Sequence, residues 1–122
     1  MKILLIAPGT APRALDIDHS LKSMQELVSG TIEAIYPFAD SVALVCNDEG
    51  KLLGLPLNRA VRDPATGQIL DIIAGTFFIC GLSEDEFASL TDDQIQRYTQ
   101  MFRCPEVFLK SKDQIIIVQM EQ

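Results

Sequence analysis

The sequence predicts an α+β fold in a single domain, residues 1–122, with a mostly antiparallel sheet. Short apolar runs separated by turn residues recur along the chain, a pattern typical of strands joined by tight turns. Apolar residues at helical spacing are confined to the stretches near residue 20 and within residues 83–102. The length of 122 residues and the hydrophobic content of 48% suit one core that needs no disulfide or metal to fold.

The chain is predicted to begin with two strands and a helix. The strands are residues 3–7 and 14–17, and the helix follows Asp18, whose carboxylate is placed to accept orphan backbone N–H groups. The apolar residues at helical spacing are Leu21, Met24, Leu27 and Val28. Gly30 is expected to end this helix, because glycine readily adopts the left-handed conformation of a helix C-terminus.

Further strands are predicted to follow, starting with residues 31–36 and 42–46. The sequence from Asn47 to Gly50 is typical of a hairpin turn, with Gly50 at positive φ. Residues 51–55 are expected to return from this turn as the partner strand.

A second hairpin is predicted around the turn 63–67, between strands 57–62 and 68–79. Residues 72–80 are almost wholly apolar, which favours a central strand that is covered on both faces. Gly75 within this run is expected to mark a bulge or a close approach of another backbone.

Two capping-box patterns predict a helical pair before the last two strands. Ser83-x-x-Glu86 is expected to open a short helical turn, and Thr91-x-x-Gln94 to open a helix that ends at Cys104-Pro105. The last two strands, residues 107–109 and 115–118, are expected to form a hairpin.

The formal net charge of -7 makes the protein acidic. Proteins bind phosphate backbones through clusters of Lys and Arg, which this sequence does not contain, so we expect no direct nucleic-acid binding. A basic or uncharged protein partner suits an acidic surface better. No apolar segment is long enough to suggest a signal peptide or a membrane span, so we expect a cytoplasmic protein without membrane contact.

The sequence indicates no cofactor, metal site or catalytic residue. Cys46, Cys80 and Cys104 are too widely spaced for a zinc site or a disulfide framework, and the apolar settings of the first two predict core positions. The stretch Asp16-Ile17-Asp18-His19 combines metal-ligand residue types, but a strand end before a capped helix explains it better. The loop 8–12 lacks the glycine pattern of a phosphate-binding loop.

Asn58-Arg59 and Arg62-Asp63 form the polar cluster closest to the long apolar run. An Arg fork can hold a carboxylate or phosphate that an Asn orients, so Asn58, Arg59 and Arg62 are candidate ligand-binding residues. The alternative is an Arg–Asp surface pair beside a turn, which contributes less than about 1 kcal/mol. We favour this alternative, because the nearby sequence supplies no base or nucleophile.

Five of the 17 acidic residues lie within ten residues and are candidates for contact with a basic partner. They are Glu84, Asp85, Glu86, Asp92 and Asp93. The same residues are expected in the first turns of the two predicted helices, where each negative charge contributes about 0.3–1 kcal/mol. The two interpretations are compatible.

Four stretches of the sequence resemble an uncharacterised family of small bacterial proteins, the domain of unknown function three-eight-four-six. They are EGKLLGLPLNRAV, DIIAGTFFICG, SLTDDQIQRYTQMF and PEVF. The resemblance runs from the first strand through Phe108, and its main positions are Leu57, Asn58, Arg59, Asp71, Gly75 and Thr76. Such proteins are common on conjugative elements and phages, so the resemblance implies an accessory or host-interaction role and supplies no catalytic residue.

These observations lead to one main hypothesis and two alternatives. We expect a non-enzymatic protein-binding module of a mobile element or phage, whose partner is a host or element-encoded protein. The first alternative is an acidic counter-defence inhibitor of a nucleic-acid-binding host enzyme. The second is a small-anion or nucleotide sensor that uses Asn58, Arg59 and Arg62.

Overall fold

The computed structural model describes residues 1–120 of the chain. Within that range the elements are β1 (Lys2–Ile6), β2 (Arg13–Asp16), α1 (Leu21–Val28), β3 (Ile32–Ile35), β4 (Val42–Asn47), β5 (Leu57–Arg62), β6 (Ile69–Ala74), β7 (Phe77–Ser83), β8 (Glu86–Ala88), α2 (Asp92–Met101), β9 (Glu106–Ser111) and β10 (Gln114–Gln119). The predicted α+β class and the ββα start are therefore confirmed. Residues 121 and 122, which the predicted domain includes, lie outside the described residues.

Most strands belong to one antiparallel sheet, in the order β2-β1-β7-β4-β3. The short strand β8 extends this sheet by pairing with the end of β7. Two further antiparallel pairs lie outside it, β5 with β6 and β9 with β10. No helix among residues 1–120 is long and apolar enough to span a bilayer.

The core has two layers, one on each face of the main sheet. Successive side chains of a strand point to opposite faces, so Phe77 and Ile79 of β7 join one cluster while Phe78 and Cys80 join the other. The first cluster is covered by α2 and the β5–β6 pair, and the second by α1. β7 is thus buried on both faces at the centre of the sheet.

The apolar run 72–80 serves two sheets, which corrects the prediction of one continuous strand. Its first part ends β6 at Ala74, and its second part begins β7 at Phe77. Gly75 turns the chain between them at φ +83°, and a Cβ there would lie 2.8 Å from a methyl carbon of Leu55. The close approach at Gly75 is therefore to a side chain, rather than to another backbone as predicted. Only the β7 part of the run is the central strand.

At both ends of α1 the capping residue differs from the predicted one. The hydroxyl of Ser20, rather than Asp18, accepts the N-cap hydrogen bond from the backbone of Ser23. At the other end Ser29, rather than Gly30, adopts the left-handed conformation, with φ 61°. The helix therefore starts two residues later than the Asp18 cap implied.

Residues 51–55 do not form the predicted returning strand. Residues 48–54 form a series of turns instead. Gly50 was predicted to have a positive φ, and this is wrong. The residue is nevertheless closely packed, because a Cβ there would lie 2.7 Å from the carbonyl oxygen of Ala74. Gly54 takes the positive φ instead, at 70°. The turn 63–67 and its flanking strand 57–62 match the prediction.

The two capping-box patterns have different outcomes. Thr91 and Gln94 form a complete capping box at the start of α2, as predicted. Ser83-x-x-Glu86 instead closes a hairpin in which Ser83 pairs with Glu86, and the predicted helical turn is wrong. Glu84 and Asp85 between them have φ values of 49° and 67°, the backbone of a tight turn between twisted strands. The final hairpin matches the prediction and extends over β9 and β10.

Candidate functional site

Asn58 is buried in β5 and connects three parts of the fold. Its Nδ2 donates hydrogen bonds of 2.9 Å to the carbonyl oxygens of Ile6 and Gly75. Its Oδ1 accepts a 2.9 Å hydrogen bond from Nη1 of Arg59. The side chain therefore fixes β5 against the end of β1 and against the Gly75 corner.

Arg59 is 1% exposed, and oxygens of the protein accept hydrogen bonds from its whole guanidinium group. Nε and Nη2 donate to the carbonyl oxygen of Phe102, at 3.2 and 3.1 Å. Nη2 also donates to the carbonyl of Thr10, and Nη1 donates to both oxygens of Asn58. A guanidinium has five N–H donors, so these contacts engage all of them.

The contacts of Arg59 place a positive charge at the end of α2. Phe102 is the C-cap residue, where a helix carries partial negative charge on its unpaired carbonyls. Burial lowers the pKa of Arg59 from its usual value, and the carboxylate of Glu106 opposes that effect. Asn58 and Arg59 thus hold elements together, and a ligand could reach their donors only by displacing bonds already made.

Arg62 pairs with Glu106 of β9 instead of with Asp63, so the predicted surface pair is wrong in its partner. Nη2 of Arg62 lies 2.8 Å from Oε2 of Glu106, and the backbone N–H of Ala60 donates to Oε1 of the same carboxylate. Asp63 accepts from the backbone of Ala65 within its own turn. Arg62 and Glu106 line a cavity of about 200 Å³ beside α2.

The five candidate acids lie on two elements. Glu84 and Asp85 form the tip of the β7–β8 hairpin, and Glu86 begins β8. Asp92 and Asp93 lie in the first turn of α2, as predicted, where negative charge stabilises the helix. All five side chains are exposed, so each is accessible to a partner.

An apolar groove of about 650 Å³, which sequence reasoning missed, lies between the β5–β6 and β9–β10 pairs. Its apolar lining comes from Leu55, Leu57, Ile69, Ile72 and Ile115. Lys51, Asp71 and Lys110 complete the wall, and Nζ of Lys51 lies 2.7 Å from Oδ1 of Asp71. The volume falls in the usual range for ligand pockets, and the lining suits an apolar segment.

The β9–β10 hairpin, called the arm below, carries a second apolar surface. Six of its large apolar side chains are between 39% and 51% exposed, whereas Phe108 and Ile117 are partly buried. The six are Val107, Leu109, Ile115, Ile116, Val118 and, just after β10, Met120. In the sequence, this surface corresponds to four successive apolar residues in β10. The same pattern is typical of a buried strand, so the sequence alone does not show that the residues are exposed.

The other candidate groups are engaged in the fold. Cys46 and Cys80 are core residues, as predicted, and burial raises their pKa values to about 11 and about 12, so both thiols stay protonated at neutral pH. Asp16 accepts a 2.9 Å hydrogen bond from the amino group of Met1. No cluster of three or more His, Cys, Asp or Glu residues in positions 1–120 could hold a metal ion.

Comparison with known proteins identifies a family. The model of the family described as "Domain of unknown function (DUF3846)" matches residues 1–103. The matched range ends just before the arm, so the arm and the PEVF stretch lie outside the match. No curated protein and no solved structure matches the chain significantly.

Proposed function

The chain belongs to the DUF3846 family, and from that premise we propose that it is a non-enzymatic protein-binding module. Its binding surface is the apolar groove between the β5–β6 pair and the arm, and its partner inserts an apolar segment there. The module acts in the cytoplasm as an accessory protein of a mobile element or phage, and its partner is a host or element-encoded protein.

The observation that carries this proposal is the concentration of exposed apolar side chains around the groove. Leu52 is 88% exposed and Leu53 59%, in the turns that lead to the groove residue Leu55. Ile69 and Leu70, adjacent in β6, are also about half exposed. Monomeric proteins rarely expose large contiguous apolar patches, and those that do use them mostly for binding.

A binding role also agrees with the state of the polar groups. Arg59, the most buried cation, has its donors engaged by carbonyl oxygens. Cys80 is a buried, protonated thiol. Nucleophilic catalysis needs a nucleophile within hydrogen-bond reach of a base, and these groups do not provide that arrangement.

The net charge supports a partner with net positive charge. With -7 on this chain, a basic partner would be attracted before contact, and the apolar groove would supply the close packing. We expect the association rate to fall as salt is added while the dissociation rate changes little, because salt screens long-range attraction more than apolar contacts.

The two alternatives have weaker support. The counter-defence inhibitor relies on five exposed acids that are divided between the β7–β8 hairpin and the first turn of α2. The anion sensor relies on Asn58, Arg59 and Arg62, whose donors bond to carbonyl oxygens and to Glu106. Neither arrangement offers a preformed site as open as the groove.

The test compares two substitutions of similar exposed apolar residues. Ile69→Ser removes a groove contact, and Leu21→Ser removes an exposed side chain of α1, which covers the opposite face of the main sheet. A partner captured from host lysate is identified, purified and titrated against each variant by calorimetry. We expect Ile69→Ser to weaken binding by at least about ten-fold, or 1.4 kcal/mol, and Leu21→Ser to bind like the unmodified protein. Equal affinities for both variants would contradict the groove as the binding surface.

A further inference from the structure

The outer edge of β10 is a free sheet edge. β10 pairs only with β9, so the backbone groups on its other side have no strand partner among residues 1–120. Met120 donates its N–H to Pro105 on the β9 side, and backbone groups alternate sides along a strand. The N–H and C=O groups of Ile115, Ile117 and Gln119 therefore point outward.

This edge lacks the features that usually prevent edge-to-edge pairing. Natural edge strands carry charges, prolines or bulges, or are covered by another element. β10 reads Gln-Ile-Ile-Ile-Val-Gln, with no charge and no proline, and its register with β9 is unbroken from Gln114 to Gln119. An uncharged, β-branched strand with a free edge is built to pair with another strand.

Both faces of the arm also carry exposed apolar side chains. Ile115 and Ile116 are adjacent and so point to opposite faces, yet they are 44% and 47% exposed. An isolated two-stranded hairpin is marginally stable in water. Additional strands would stabilise it.

The charge distribution favours a second copy of this chain as the occupant. Residues 106–120 contain Glu106, Lys110, Lys112 and Asp113, so the arm has no net charge, although the whole chain carries -7. Two copies repel each other least when they approach through this neutral arm. A basic or acidic partner would gain no electrostatic attraction from an arm without net charge.

We propose that the protein forms a two-fold symmetric homodimer in which β10 pairs antiparallel with β10 of the second copy. The product is a continuous four-stranded sheet in the order β9-β10-β10-β9. A two-fold axis beside the middle of β10 sets the apolar residues of one copy opposite those of the other, which suits a self-complementary interface. A six-residue strand pair is smaller than the roughly 800 Å² per partner of a standard interface, so the dimer is weak and concentration-dependent.

The decisive experiment uses a matched pair of charge substitutions in the full chain. Ile116 of β10 and Leu109 of β9 face each other across the arm and are 47% and 51% exposed. Ile116→Lys places like charges at the β10–β10 seam, whereas Leu109→Lys places the same charge on the same face one strand away. In sedimentation velocity we expect Ile116→Lys to weaken dimerisation by at least about ten-fold and Leu109→Lys to retain most of it.

A charge-reversal rescue separates loss of pairing from misfolding. Ile116→Lys and Ile116→Glu are each expected to be monomeric, and their equimolar mixture to recover a dimer. In the unmodified protein, the amides of Ile115 and Ile117 should become more protected from hydrogen exchange as concentration rises. A protein that stays monomeric at every concentration, or a dimer that Ile116→Lys leaves intact, would overturn the proposal, as would failure of the rescue.

This proposal and the proposed function fail independently. Ile69 of the groove lies in β6, which pairs with β5 and not with β10, so Ile69→Ser should leave the dimer unchanged. A monomeric Ile116→Lys variant that still binds the captured partner would leave the groove assignment intact.

Discussion

At the scale of single residues, Arg59 shows how one buried cation connects distant segments. Its guanidinium bridges Thr10, which follows β1, and Phe102, which ends α2. These contacts are made with carbonyl oxygens, and Phe102 is buried whereas Thr10 is exposed, so removing the side chain would leave the buried carbonyl of Phe102 without these donors. Such orphaned groups cost more than the net value of the hydrogen bonds themselves.

We expect Arg59→Met to lower the free energy of unfolding by about 2–4 kcal/mol. Arg59→Lys should recover only part of the loss, because an ammonium cannot reproduce a planar fork with five donors. Arg103→Met is the control, because Arg103 is exposed, and it should change stability by less than about 0.5 kcal/mol. Urea unfolding followed by circular dichroism measures all three. A loss for Arg59→Met no greater than the control's would contradict a structural role for Arg59.

A second residue-scale feature is Asp40, which fastens α2 to the loop before β4. Its carboxylate accepts hydrogen bonds from the backbone N–H of Ser41 and from the side chains of Gln94, Arg97 and Tyr98. Partial burial alone would raise the pKa of Asp40, but the hydrogen bonds and the charge of Arg97 together outweigh burial and lower it. The ionised form is therefore bound more tightly in the folded state.

This lowered pKa predicts a stability change in acid. The ionised Asp40 contributes its full stabilisation above the unfolded pKa of about 3.9, and the contribution is lost as the pH falls through the lower folded value. Asp40→Asn should therefore be less stable than the unmodified protein at pH 7, and the difference should shrink below about pH 4. Unfolding free energies measured across that pH range test it. A difference independent of pH would contradict the assignment.

At the scale of elements, Ser83-x-x-Glu86 and Thr91-x-x-Gln94 carry the same local signal in different structures. The first closes the β7–β8 hairpin and the second caps α2. The difference is tertiary, because β8 gains hydrogen bonds by extending the main sheet. No pattern within four residues could distinguish the two.

Matched hydroxyl deletions should separate these contexts. Thr91→Ala removes the acceptor for the backbone N–H of Gln94 and should cost about 1 kcal/mol. Ser83→Ala removes an exposed hydroxyl from a strand end and should cost less than about 0.5 kcal/mol. Thermal or urea unfolding of both variants supplies the comparison. Equal losses would show that Thr91 contributes nothing as a cap.

The sequence was sufficient for elements whose signals are local. Strand 57–62 is bounded by the turn residues 63–67, and the start of α2 has its capping box. The run 72–80 was not divided correctly, because apolar residues continue across Gly75 and only the fold shows that two sheets share them. The burial of Asn58 and Arg59 was hidden for the same reason, since their partners Ile6 and Phe102 are far away in the chain. The groove was missed because its lining comes from separate hairpins.

At the scale of the whole molecule, the main sheet and the arm differ in how they are held. β7 has strand neighbours on both edges and core clusters on both faces. The arm is fixed to β5 through Glu106, and most of its side chains are exposed. Opening of the arm should therefore require much less free energy than opening of β7.

Hydrogen exchange tests this contrast at low protein concentration. The amides of Phe78 and Ile79 should exchange only through global unfolding, and those of Ile115 and Ile117 should exchange fastest among strand residues. Exchange rates measured by nuclear magnetic resonance give residue-level values. Similar protection for β7 and β10 under these conditions would contradict the separation.

The central position of β7 also has a consequence for the nascent chain. β1 and β4 each pair with β7, and Leu4 must wait for Ile79 to leave the ribosome before its second strand neighbour exists. Until then the chain holds two separate hairpins, β1–β2 and β3–β4, with the seam between them open. Completion of this sheet consequently requires β7 and the long-range loop closure that brings it between β1 and β4, and the strand edges that face the seam stay unpaired during that interval.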